Sequence, residues 1–175
     1  MISEGSGNFL LQFARKILEN YVKGKDIEKP KNYPKELDEK FGIFCTLNKN
    51  EQLRGCIGLP YPEKPLLEGA IKAVKGSARD PRFPNVRKEE LKKIKIELSI
   101  LSKMKEISPD KIKNGDGTVL RMNKKSALFL PQVWKQLKNK NEFMTQLCIK
   151  AGLKRDDWKK EDMECFKFHV KIFKE

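Results

Sequence analysis

The chain has 175 residues, 38% of them hydrophobic and 35% charged, with 10 Phe, 2 Trp, 3 Tyr and a formal charge of +14. That is apolar enough for one ordinary domain, or two small lobes sharing a core, and it excludes a disordered chain. No apolar run approaches the ~20 residues of a membrane span, and the polar Met1–Asn8 does not read as a signal peptide, so a soluble cytoplasmic protein is expected.

The positive charge comes from 31 Lys and only 7 Arg, and it is spread over the last two thirds of the chain. Residues 1–63 carry 10 basic and 9 acidic groups. A basic chain raises the case for nucleic acid as a partner. Scarce arginine argues against base-edge or phosphate-fork recognition, so a Lys-rich solvated surface is the favoured reading. Cys45, Cys56, Cys148 and Cys165 form no C-x-x-C pair, and His169 is the sole histidine. No structural metal and no cofactor is implied, and the thiols are expected to be reduced.

Residues 7–23 predict an amphipathic helix burying Phe9, Leu10, Phe13, Ile17 and Tyr21 and stopping at Gly24. The polar stretch Lys25–Lys40 reads as a surface excursion or a small subdomain. Phe41–Leu47 and Leu53–Gly58, joined by Asn48–Gln52, predict a β-hairpin. Its register is open. If Leu47 opposes Leu53, Cys56 faces Phe44; if Asn48 opposes Leu53, Cys45 and Cys56 lie opposite each other.

A helix entered at Pro65 buries Leu67, Ala70, Ile71, Val74 and Ala78. The proline-flanked Asp80–Pro84 is irregular. A short helix over Lys88–Lys93 precedes a strand over Lys95–Leu101, with Ile96, Leu98 and Ile100 inward. After a turn at Asn114–Gly117, Thr118–Met122 and Ser126–Leu130 form a second hairpin. Asn141–Ala151 is a helix burying Phe143, Met144 and Leu147, with Gly152 at C′. Cys165–Phe173 reads as one closing strand, with Phe166, Phe168, Val170 and Ile172 inward and Cys165, Lys167, His169 and Lys171 outward. Hairpins and flanking helices without βαβ alternation predict an α+β fold with a largely antiparallel sheet.

Leu53-Arg54-Gly55-Cys56-Ile57-Gly58 is the most unusual stretch. Glycine in a strand marks a bulge, a bend or a close approach, and Gly55 and Gly58 leave the Cys56 thiol uncrowded. The strand period puts Arg54 and Cys56 on one face about 7 Å apart. Arg54 is therefore expected either to favour the thiolate of Cys56 and hold an anionic group, or to form a structural ion pair beside a small buried cysteine. The stiff Arg79-Asp80-Pro81-Arg82-Phe83-Pro84 loop suits anion binding or a salt-bridged corner. Gln132, at the end of the second hairpin, is a further candidate cleft residue or a plain turn residue. His169, on an outward face, reads as solvated rather than as a general base. Cys45, Cys148 and Cys165 read as packing residues.

The same stretches carry a family resemblance. The hexapeptide Leu53–Gly58 resembles the signature of the AMMECR family, named from the Alport syndrome, mental retardation, midface hypoplasia and elliptocytosis chromosomal region. Gly42–Leu47, Asp80–Pro84, Glu97–Leu101, Leu128–Val133, Cys148–Leu153 and Trp158 resemble it in the same order, over residues 8–173. The resemblance implies an α+β fold in two lobes, a larger one with both termini and a smaller one, with the signature beside a cleft. It supplies no reaction, and it implies Memo-like and radical-SAM proteins as candidate partners.

Two functions are therefore carried forward. The first is an enzyme-like or ligand-binding domain acting on an anionic or carbonyl-bearing substrate. It would use Cys56 and Arg54, with Gly55, Gly58, Arg79, Asp80, Arg82 and Gln132 around the ligand. The alternative is a non-catalytic module that binds nucleic acid or a protein through the Lys-rich surface.

Overall fold

A computed structural model describes all 175 residues, and these divide into two compact units. The first is Met1–Leu101 with Lys171–Glu175, and the second is Ser102–Val170. The fold is α+β, with one four-stranded, largely antiparallel sheet for each unit. No helix is long and apolar enough to cross a membrane.

The first unit opens with α1 (Glu4–Val22), three residues earlier than its apolar spacing indicates. Ser3 is the reason. Its hydroxyl caps the helix by accepting from the Ser6 amide at 3.3 Å, and its own amide and hydroxyl donate to Glu36 at 3.0 and 2.7 Å. Hydrogen bonding from Ser6 and Ser3 pulls the Glu36 carboxyl down to about 2. The Lys25–Lys40 stretch is thereby tied to the start of the chain, and its short 3₁₀ turn Lys35–Asp38 inserts Leu37 fully into the core. Gly24, at φ +69°, ends α1 in the left-handed conformation that only glycine adopts freely.

Strands β1 (Gly42–Lys49) and β2 (Gln52–Leu59) form the expected hairpin, and α2 (Leu66–Ala78) follows. A 3₁₀ helix over Lys88–Lys93 leads into β3 (Ile94–Leu101). Ile43, Cys45 and Leu47 of β1 and Ile96, Leu98 and Ile100 of β3 turn to one face, where they meet Ala70, Ala73 and Val74 of α2 and Leu10, Ala14 and Ile17 of α1. This period-two alternation against two helical stripes is the core of the unit.

In the second unit, β4 (Lys105–Glu106) precedes the hairpin β5 (Gly117–Met122) and β6 (Lys125–Phe129), which is followed by α3 (Lys140–Lys150). Its core holds Leu120, Met122, Phe143, Met144, Leu147 and Cys148, and Trp134 stacks on Phe143 with ring centroids 3.9 Å apart.

The closing segment departs from the expected single strand. It is two strands, β7 (Glu164–Phe168) and β8 (Val170–Lys174), with His169 between them. The sheet orders are β2-β1-β3-β8 and β4-β7-β5-β6, so the chain leaves one sheet for the other at this point. His169 donates its amide to Ser102 Oγ at 3.0 Å and accepts from the Ser102 amide at 2.9 Å, which fixes the crossing. Facing no longer follows one alternation through the segment. Cys165 and Phe173 are buried, against the sequence reading, and Ile172 is exposed.

Both hairpins turn through two residues at positive φ, Asn50 and Glu51 in the first and Asn123 and Lys124 in the second. This is the type I′ geometry, which prefers glycine at the second position. Glu51→Gly and Lys124→Gly are each expected to stabilise the protein by about 0.5–1 kcal/mol, since a side chain in left-handed backbone costs roughly that much. A rise in thermal midpoint for each variant checks this, and a fall would contradict it.

Candidate functional site

Cys56 lies on β2, an outer strand of the first sheet. Asn48 pairs with Leu53, but Leu47 pairs with Gly55, so Arg54 is the additional residue of a β-bulge. Neither register anticipated from the sequence survives this insertion, because Cys56 opposes Thr46. The side chains share a face, with Thr46 Oγ1 and Cys56 Sγ 3.3 Å apart. Cys45 points to the opposite, fully buried face, and burial pushes its thiol up to about 12.

Arg54 is committed elsewhere. Its Nε and Nη2 grip both oxygens of Glu90 at 3.0 and 2.9 Å, and Nη2 also reaches the Asn85 carbonyl at 3.2 Å. Lys49 Nζ at 2.8 Å and the Arg87 amide at 3.0 Å complete the shell of Glu90. With the guanidinium beside it, Glu90 is held well below the usual carboxylate range. The structure thus gives Arg54 the ion-pair role and leaves no free fork for an anionic ligand.

The backbone of Cys56 is clamped by the loop after α2. Asp80, 2% exposed, accepts the Cys56 amide at 2.8 Å, and Arg82 Nη2 donates to the Cys56 carbonyl at 3.1 Å. Arg82 also binds Asp80 through Nε at 3.0 Å and Nη2 at 2.6 Å, and its amide bonds Asp80 Oδ1 at 3.1 Å. The Arg82 guanidinium is the main reason that the Asp80 carboxyl sits far below its ordinary range. These bonds occupy backbone groups that an outer strand would otherwise offer to a foreign strand.

Ser77 closes the adjacent position. Its Oγ accepts the Ile57 amide at 3.0 Å and lies 2.7 Å from the Cys45 carbonyl, so the hydroxyl stands inside the β1–β2 ladder. This brings the end of α2 onto Gly55, where a Cβ would overlap the Ser77 carbonyl oxygen. Gly58 answers to a different neighbour, because a Cβ there would overlap the ring of Phe44. Both glycines are demanded by close approach, as expected of glycine within a strand.

The remaining candidates are dispersed. The Arg79 side chain is exposed, outside the Asp80–Arg82 clamp. Gln132 belongs to the second unit, in the 3₁₀ turn Pro131–Lys135, and its Oε1 is buried without a hydrogen-bond partner, as is Thr118 Oγ1 of β5. His169 is exposed, as expected. Cys148 and Cys165 are buried, and burial raises both thiols, Cys165 to about 12.

Four residues with roles around Cys56 escaped the sequence reading: Thr46, Ser77, Glu90 and Glu97. Thr46 carried the only local signal, as a hydroxyl among alternating apolar residues. Ser77 and Glu90 act across 20 and 36 residues of chain.

The clamped hexapeptide and the loop that holds it have counterparts in known proteins. The AMMECR1 family model matches residues 11–173. Protein PYRAB00100 of Pyrococcus abyssi is 44% identical, with the match covering 99% of this chain and 92% of that protein. Protein MJ0810 of Methanocaldococcus jannaschii is 39% identical over 97% of this chain and 90% of its own. The crystal structure of the uncharacterized protein PH0010 from Pyrococcus horikoshii superposes with a TM-score of 0.88 at 43% identity, covering 99% of this chain and 93% of that one. With sequence and fold matched over nearly its whole length, the chain belongs to the AMMECR1 family.

Proposed function

We propose that the protein binds a small carbonyl-bearing molecule and that the Cys56 thiol is the group that reacts with it. The observation that carries this reading is the presentation of Cys56. It is the one cysteine of four that keeps exposed surface, its Sγ is paired with the Thr46 hydroxyl, and side chains hold its amide and its carbonyl. A thiol fixed at both backbone ends is pre-organised in a way that packing alone does not demand. In the simplest step the sulfur adds to the carbonyl carbon. The π pair moves to oxygen, and the thiol proton ends on that oxygen, with Thr46 able to pass it.

The experiment is alkylation of the native protein across pH, read by mass spectrometry at each cysteine. Cys56 is expected to label at least tenfold faster than Cys45, Cys148 and Cys165, whose burial opposes the reactive thiolate. Labelling of Cys56 only on unfolding would overturn the reading. The competing role, a basic module for nucleic acid or a protein partner, predicts binding that falls steeply with salt and is indifferent to Cys56→Ser.

A further inference from the structure

The face of the first sheet that carries Cys56 has a second reactive group on it. Thr46 pairs with Cys56 on one side and with Glu97 of β3 on the other. Residues directly opposite in antiparallel strands share a face, about 5 Å apart, so Cys56, Thr46 and Glu97 form one row spanning about 10 Å between its outer Cα atoms. All three are partly exposed. A ligand of a few heavy atoms over Thr46 would touch both the thiol and the carboxylate.

The charges around this row are committed, with Glu97 the exception. Arg54 and Lys49 are both spent on Glu90, Arg82 is spent on Asp80, and Lys95, next along β3, reaches Glu51 at 3.3 Å. Glu97 has neither an ion-pair nor a hydrogen-bond partner for its carboxylate. The adjoining row reinforces its sign. Phe44 stands between Gly58 and Ser99, partly exposed, and its ring lies over Gly58 where a side chain would otherwise project. An unpaired carboxylate and an aromatic ring side by side favour a cation and disfavour an anion.

We infer that the ligand reacting at Cys56 carries a positively charged group, an ammonium or guanidinium, and that Glu97 is the residue that selects it. This rests on the reading of Cys56 as the reacting group and replaces the anionic substrate that Arg54 suggests from sequence. The charged group sits over Thr46 towards Glu97, with its reactive carbon at Cys56.

The test is the rate of Cys56 modification by methanethiosulfonates of opposite charge. The 2-aminoethyl reagent supplies the cation and the 2-sulfonatoethyl reagent the anion, and the methyl reagent serves as neutral reference. Each rate is normalised to that with a small free thiol. In each reaction the thiolate attacks the sulfenyl sulfur, a disulfide forms and methanesulfinate leaves.

The cation-to-anion rate ratio is expected to fall about three- to tenfold in Glu97→Gln and to recover in Glu97→Asp, the effect of one unit charge within about 10 Å at a partly exposed site. In the wild type the ratio is expected to fall between about 0.05 and 1 M salt as the attraction is screened, a reading that needs no variant to fold. Labelling at Cys56 with a ratio unmoved by both Glu97→Gln and salt overturns the inference and leaves the thiol reading standing. No native labelling by any of the three reagents overturns both.

Discussion

Asp80→Ala is expected to cost about 3 kcal/mol of stability, one of the two largest losses outside the apolar core. The carboxylate is buried and accepts from the amides of Cys56 and Arg82 and from the Arg82 guanidinium. Its removal leaves a buried amide on β2 without a partner and frees the loop that covers the strand. Truncating one member of a buried, hydrogen-bonded charge pair costs roughly 3–5 kcal/mol, and the lower end applies because the Arg82 side chain is 57% exposed and its share is screened. Urea denaturation measures the loss, and a value under about 1 kcal/mol would show that the clamp is incidental.

The same carboxylate sets an acid limit. Asp80 and Glu90 are both shifted down, chiefly by Arg82 and Arg54 respectively. A depressed folded value means that the stabilisation is complete above the unfolded values of about 3.9 and 4.3 and is lost as pH falls from there through the folded ones. Stability is therefore expected to decline steeply below about pH 4. In Asp80→Asn the slope is expected to be shallower, since one of the two depressed groups is gone. An identical slope in the variant would assign the acid sensitivity to other groups.

Gly55→Ala carries the second large loss, about 2–3 kcal/mol, and Gly58→Ala a distinctly smaller one. The added methyl at Gly55 meets backbone, the Ser77 carbonyl oxygen at the end of α2. Relief there requires moving the helix end that places Ser77 inside the ladder and Asp80 under Cys56. Overpacking against an unyielding neighbour typically costs 1–3 kcal/mol. At Gly58 the obstacle is the ring of Phe44, which is partly exposed and free to rotate away. Thermal or urea unfolding of the two variants checks the order, and a reversed order would mean that the end of α2 is not seated against β2. Cys56 labelling in Gly58→Ala adds a second readout, because a displaced Phe44 ring changes the surface beside the thiol without breaking the clamp.

Much of the architecture was legible before any coordinates. Alternation in Phe41–Leu47 and Lys95–Leu101, the helical stripes ending at Gly24 and Gly152, and the turn residues of two hairpins are local signals, and the elements appear where those signals lie. The closing segment misled because Cys165–Phe173 carries alternating side chains from end to end. Only the pairing of Ser102 with His169 shows that its two halves belong to different sheets. Capping by Ser3 likewise depends on Glu36, which lies 33 residues away.

The site divides in the same manner. The hexapeptide marked itself through its two glycines, and the proline-flanked loop through its charges, because glycine and proline constrain backbone wherever they occur. Which charges meet could not be read from spacing. A bulge at Arg54 shifts the register by one residue, sends its guanidinium to Glu90, leaves Arg82 to hold Cys56, and sets Cys56 opposite Thr46 with Glu97 beyond it. Local periodicity settles which residues form a strand and which face is apolar. Strand register and ion-pair choice depend on residues brought together from across the chain, where a one-residue insertion exchanges every neighbour.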